Sequence, residues 1–193
     1  MRTRTAACTA LLALALLTAG CSSDTDDKAA EPSATPTATS ASPTPSPAPS
    51  RPLAIGDTLT NTGKVEGKTF KTTVTVLGYT HDFKAQASAA DETGAEGYVW
   101  SALEVKVCAL TSEVMTSRFP WTLAYADGAR VEPSGTTYDD FPKPEYPIEA
   151  RVNSGDCIRG KIAYAVPGNQ RPEKVIYAPE SLDESVEWSL AKQ

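Results

Sequence analysis

Histidine occurs once in these 193 residues, so any Ser-His-Asp relay would have to use His81. Positive charge is also scarce. Eighteen Lys and Arg stand against 24 Asp and Glu, a net charge of −6. Nucleic acid is therefore not an expected partner, because phosphate binding needs clustered cations. Docking on anionic lipid through a basic patch is disfavoured for the same reason. No apolar run reaches the roughly 20 residues of a membrane-spanning helix, and no long helical period appears. Only four cysteines are present: Cys8, Cys21, Cys108 and Cys157.

What is present begins with an address. Arg2 and Arg4 precede fourteen mostly Ala and Leu residues, 6–19, and small residues follow. This is the layout of a secretory signal peptide. The run ends Leu17-Thr18-Ala19-Gly20-Cys21, which resembles the bacterial lipobox. That resemblance implies a diacylglycerol on the Cys21 thiol and cleavage before it. The expected location is the outer face of the bacterial plasma membrane, held by lipid. Each buried CH₂ contributes about 0.8 kcal/mol, and two or three acyl chains anchor firmly. Loss of residues 1–20 would take the net charge to −8, since they carry two arginines and no acid.

Residues 22–52 contain no aromatic residue and no Val, Ile or Leu, and seven of the chain's 15 prolines lie between Pro32 and Pro52. Such a stretch cannot bury enough apolar surface to offset its ordering entropy. Alternating prolines favour an extended polyproline II stalk, at most about 95 Å long at ~3.1 Å per residue. The expected organisation is a signal peptide (1–20), a lipid-anchored disordered linker (21–52) and one domain (53–193).

From Leu53 onward, short β-type runs alternate with turn residues. Residues 70–77, 99–109, 121–126, 129–131, 158–166, 174–177 and 185–190 read as strands, with Asp127-Gly128 as a hairpin turn. In 99–109 the odd positions are mainly apolar and the even ones include Glu104 and Lys106, which predicts one buried face. Seven or eight such strands imply an all-β, immunoglobulin-like antiparallel β-sandwich. Residues 133–147 hold four prolines and read as a long surface loop. The order of features resembles the telokin-like, immunoglobulin-like extracellular domains of unknown function found on Gram-positive lipoproteins. Ile55-Gly56-Asp57, Val105-Lys106-Val107, Asp127-Gly128, Gly155, Ile158-Arg159-Gly160-Lys161-Ile162 and Val166-Pro167 carry that resemblance. It implies a fold and a location, and no catalytic residues.

With Cys8 in the signal and Cys21 lipidated, Cys108 and Cys157 form an even pair in an oxidising compartment. A disulfide is expected, with two free thiols as the alternative. Each cysteine shares parity with charged neighbours, so a bond on an outward face, between neighbouring strands or across a sheet edge, is predicted. Metal binding by these two and distant His81 is disfavoured.

Catalytic motifs are scarce. No G-x-S-x-G elbow occurs, and Ser189-Leu190-Ala191-Lys192 stands alone at the C-terminus. His81-Asp82 reads as a solvated turn pair. Asp91, Glu92 and Glu96 fall in one loop and Asp139-Asp140 in another, without calcium-loop spacing. No metal and no cofactor is expected. Tyr138, Phe141 and Tyr146 make the 133–147 loop the candidate binding surface, although Phe141 and Tyr146 could instead fold back over a sheet edge. Trp100, Trp121 and Trp188 read as core. The expected function is a non-enzymatic binding module with an envelope protein or cell-wall polymer as partner. An accessory subunit or chaperone of an exported complex is the alternative, and an envelope hydrolase ranks below both.

Replacing Cys21 tests the anchor directly. Cys21→Ala should leave the precursor uncleaved or release the protein from membranes, read by fractionation and intact mass. Unchanged processing and retention would refute the lipid anchor.

Overall fold

The computed structural model describes residues 51–65 and 67–190. Cys8, Cys21, the expected linker up to residue 50 and the end of the Ser189–Lys192 motif lie outside the described residues. Eleven strands and one short helix are present among those described. One sheet orders β2 (Thr58–Val65), β3 (Lys68–Phe83), β4 (Tyr98–Thr111) and β9 (Cys157–Pro167). A second orders β1 (Leu53–Ala54), β11 (Val186–Ser189), β10 (Lys174–Tyr177), β6 (Trp121–Ala124) and β7 (Arg130–Val131). A ribbon of β5 (Val114–Ser117) and β8 (Glu149–Val152) stands apart from both. All pairings are antiparallel except β1 with β11. The architecture is the expected all-β sandwich.

Two-residue alternation builds the main core. Val74 and Val76 of β3, Leu103, Val105 and Val107 of β4, and Ile162, Tyr164 and Val166 of β9 project from the first sheet. Trp121, Leu123, Val175, Val186 and Trp188 meet them from the second. Each such aliphatic side chain contributes about 1.5–3 kcal/mol on burial. The Trp188 indole also donates to the Asp57 carbonyl at 3.1 Å, tying the Ile55-Gly56-Asp57 turn to β11. The expected hairpin at Asp127-Gly128 forms, with Gly128 at φ 90° and Leu123 opposite Val131.

Several expectations need correction. β3 runs on through His81-Asp82 instead of ending before it, because register shifts after Val76 and Thr80 absorb the irregular residues and Asp82 takes φ 56°. β4 does not have one buried face throughout. In its first half Trp100 and Ala102 are buried as well as Ser101 and Leu103. The cause is a second, smaller core on the outer face of the first sheet, where Trp100, Phe141, Ala89 and Ala163 pack together. α1 (Ala89–Thr93), capped by the Ser88 side chain, supplies Ala89 to it.

Cys108 and Cys157 are register partners on β4 and β9 and are disulfide-bonded, with Cα atoms 4.0 Å apart. The bond joins neighbouring strands within one sheet, as their parity predicted, rather than spanning two sheets. It closes a separation of 49 residues, for which chain entropy gives about 4 kcal/mol.

The free side of β9 is covered. Lys161 N donates to Pro144 O at 2.8 Å and Tyr146 N to Lys161 O at 2.9 Å, so residues 144–146 lie along it as a strap. The approach needs glycine at 160. A Cβ there would stand 2.4 Å from Tyr146 N and 2.6 Å from Glu145 C, both backbone atoms with little freedom to yield. Gly160→Ala should therefore displace the strap and destabilise the domain by about 3 kcal/mol, measured by denaturant unfolding. A loss within ~0.5 kcal/mol would contradict this reading of the crossing.

Candidate functional site

The 133–147 segment does not present three aromatics to solvent. Phe141 and Tyr146 are buried, at 2% and 0% exposure, and only Tyr138 is half-exposed. Phe141 sits edge-on against Trp100 and Phe83, with centroids 4.9 and 5.3 Å apart. Tyr146 enters the main core beneath the strap. The reason is that the outer face of β4 and β9 carries Trp100, Ala163 and Ala165, apolar surface that the loop covers. The expected binding surface is thus largely packing. The Tyr146 phenol is pushed up to about 12 by burial.

Hydrogen bonds through both acidic segments tie this loop, which contains Asp139-Asp140, to residues 86–92. Glu92 accepts from Thr136 Oγ1 at 2.5 Å and from Tyr138 OH at 2.6 Å. Asp140 accepts from Gln86 N at 2.5 Å. The Thr136 and Tyr138 bonds hold the Glu92 carboxyl below its usual range. Acceptance by Glu92 in turn raises the Tyr138 phenol. Among the described residues, no three His, Cys, Asp or Glu side chains are grouped to hold a metal.

His81 is half-buried within β3. Its Nδ1 lies 3.1 Å from Tyr79 OH and its Nε2 3.3 Å from Gly168 O. The neighbouring Asp82 carboxylate is engaged by Lys84 at 2.7 Å. The imidazole thus has a phenol and a carbonyl as neighbours, not the hydroxyl and carboxylate of a relay.

A wide opening lies elsewhere, where the second layer of the sandwich is interrupted between β5 and the end of β10. It is a cleft of about 950 Å³, at the upper end of the range for ligand sites. Its floor is the inner face of β2 and β3, with Asn61, Phe70 and Thr72, joined by Val107 of β4. Every residue from Ser112 to Ser117 forms one wall, and Tyr177, Pro179 and Ser181 line the opposite side. Asn61 and Thr72 are each 6% exposed, and what is exposed of them faces the cleft. Phe70 closes over Gly63 on the neighbouring strand, where a Cβ would stand 2.5 Å from its ring.

The β5–β8 ribbon beside the cleft exposes Met115, Phe119 and Ile148, each more than half accessible. Its charges are mixed. Arg151 pairs with Glu113 at 2.5 Å, and Lys68 and Glu149 also line the opening. Buried contacts anchor the ribbon: Thr116 Oγ1 lies 2.5 Å from Tyr146 OH, and Arg118 Nη2 donates to Tyr146 O at 2.9 Å. The sequence expectations omitted this ribbon and hence the cleft. The available signal was Val114-Met115-Thr116, a β-type run only three residues long.

No family model matches the chain, and no curated protein matches it. Among solved structures, a secreted protein from Mycobacterium tuberculosis, MPT63, aligns with 73% of this chain and 99% of its own, at 17% identity and a TM-score of 0.54. At that identity the likeness establishes the fold alone. The Bacillus subtilis protein ycdA aligns with 62% of this chain and 36% of its own, at 13% identity and a TM-score of 0.44, and carries no further argument.

The Glu92 contacts give a pH signature. A carboxyl with a lowered folded pKa stabilises fully above its ordinary value of 4.5, and that contribution disappears as pH falls through the depressed value. Glu92→Gln should lower the melting temperature at neutral pH, and the two proteins should converge as pH falls below 4.5 and through the depressed value. Parallel melting curves across that range would show that the charge plays no part.

Proposed function

We propose that this chain is a lipid-anchored envelope protein, held on the outer face of the bacterial plasma membrane through Cys21, whose immunoglobulin-like sandwich is a non-enzymatic binding module. The single observation that carries the reading is the 950 Å³ cleft, with the polar side chains of Asn61 and Thr72 beside Phe70 and Val107 at its floor. A ligand reaching the floor would find hydrogen-bonding groups and apolar surface side by side. The lipobox-like Leu17–Cys21 segment, the Pro-rich stretch and the resemblance to telokin-like lipoprotein domains support the location.

Mixed polar and apolar lining suits binding more than chemistry. His81 is not among the residues that line the cleft, and its one carboxylate–cation pair, Glu113–Arg151, is closed on itself. The partner is then another envelope component, bound in the opening between the ribbon and the end of β10.

Photo-cross-linking in cells tests the reading with the full chain. A benzophenone amino acid at Met115, in the cleft wall, should give a defined envelope adduct. The same group at Lys106, on the outer face of β4, should not. Equal yields at both positions, or none at either, would overturn the cleft as the binding site.

A further inference from the structure

Strand β5 has a neighbour on one side only. Its register with β8 pairs Val114 with Val152, Met115 with Arg151, Thr116 with Ala150 and Ser117 with Glu149. One step further along the same register, Arg118 N donates to Ile148 O at 3.3 Å. In an antiparallel pair, hydrogen-bonded and non-hydrogen-bonded positions alternate. Val114, Thr116 and Arg118 therefore share the bonds to β8. The N–H and C=O groups of Met115 and Ser117 point the other way, and among the described residues they have no main-chain partner. That free edge borders the cleft, since both faces of β5 line it: Val114 and Thr116 from the buried face, Met115 and Ser117 from the exposed one, the latter beside Glu149 and Arg151 of β8.

The extended part of that wall, Val114–Ser117, is about 13 Å long at ~3.3 Å per residue. An extended chain lying along it would repeat its own N–H and C=O at the spacing Met115 and Ser117 require. A sugar polymer would not match that spacing. Side chains of such a chain would alternate. One set would face Phe70, Val107, Asn61 and Thr72 on the floor; the other would face out beside Met115 and Arg151. The charges decide further. Lys68 and Arg151 are offset by Glu113 and Glu149, so a polyanion would meet as many like charges as opposite ones.

We propose that the cleft takes an extended peptide segment of a partner protein as an added strand on β5, apolar at alternate positions and without net charge. This deepens the binding-module reading and rests on it. Met115 and Ser117 supply the main-chain ladder, Phe70 and Val107 receive the inward apolar side chains, and Asn61 and Thr72 take the partner's remaining polar groups.

The test selects linear dodecapeptides from a displayed random library against the full-length protein, then uses the best synthetic peptide as probe. Selected sequences should be apolar at alternate positions. The bound peptide should slow amide hydrogen exchange at Met115 and Ser117, which β8 leaves free. Ser117→Pro, lacking that donor, should weaken binding about tenfold, with its fold checked by circular dichroism. Asn61→Leu should weaken binding comparably and guards against misfolding of the proline variant. Peptides that protect the free side of β2 instead, or that bind both variants as tightly as wild type, would overturn the proposal. Failure to select any peptide while Met115 still cross-links in cells to a glycan would overturn it too, yet leave the binding-module reading intact.

Discussion

One close crossing underlies much of this molecule. Because residue 160 has no side chain, the strap at 144–146 can lie against β9 and exchange main-chain hydrogen bonds with Lys161. The strap drops Tyr146 into the main core with no exposed surface. Its phenol then meets Thr116, and its carbonyl receives the Arg118 guanidinium. Those contacts hold the β5–β8 ribbon, and the ribbon is one wall of the cleft. A missing methyl group on one edge strand therefore helps fix the shape of an opening across the sandwich.

Arg118 shows what this arrangement costs. It is 4% exposed, its Nε has no partner, and no carboxylate lies within ion-pair distance among the described residues. A guanidinium buried on one carbonyl is poorly compensated. It holds the turn out of β5, since Arg118 N also bonds Ile148 O. Positioning of the ribbon thus takes precedence over optimal burial of the charge.

Strands whose signal is strict alternation were legible in the sequence. The runs that became β4, β9 and β11 show it, and parity placed the disulfide on an outward face, between neighbouring strands or across a sheet edge. What escaped has physical causes. β5 and β8 are four residues each, too short for a period to register. β2 reads Thr-Leu-Thr-Asn-Thr-Gly-Lys-Val, where threonine and glycine dilute the apolar signal. For Phe141 and Tyr146 the sequence left both orientations open, outward as a binding surface or folded back over a sheet edge, because prolines surround them. Proline excludes a central strand but says nothing about which side chains turn inward. The cleft was invisible for a related reason, since its floor and walls come from segments far apart in the chain and no local pattern joins them.

The two-residue strand β1 has a mechanical meaning. Leu53 and Ala54 run parallel to Trp188 and Ser189 at the border of the second sheet. A tension arriving from Arg51 would load those two rungs first. Behind them stand the Trp188 indole bond to Asp57 and the Gly56 bond to Val76. The first increments of force would be spent on this short entry clasp, and the strands around the cleft would be reached only after it had opened.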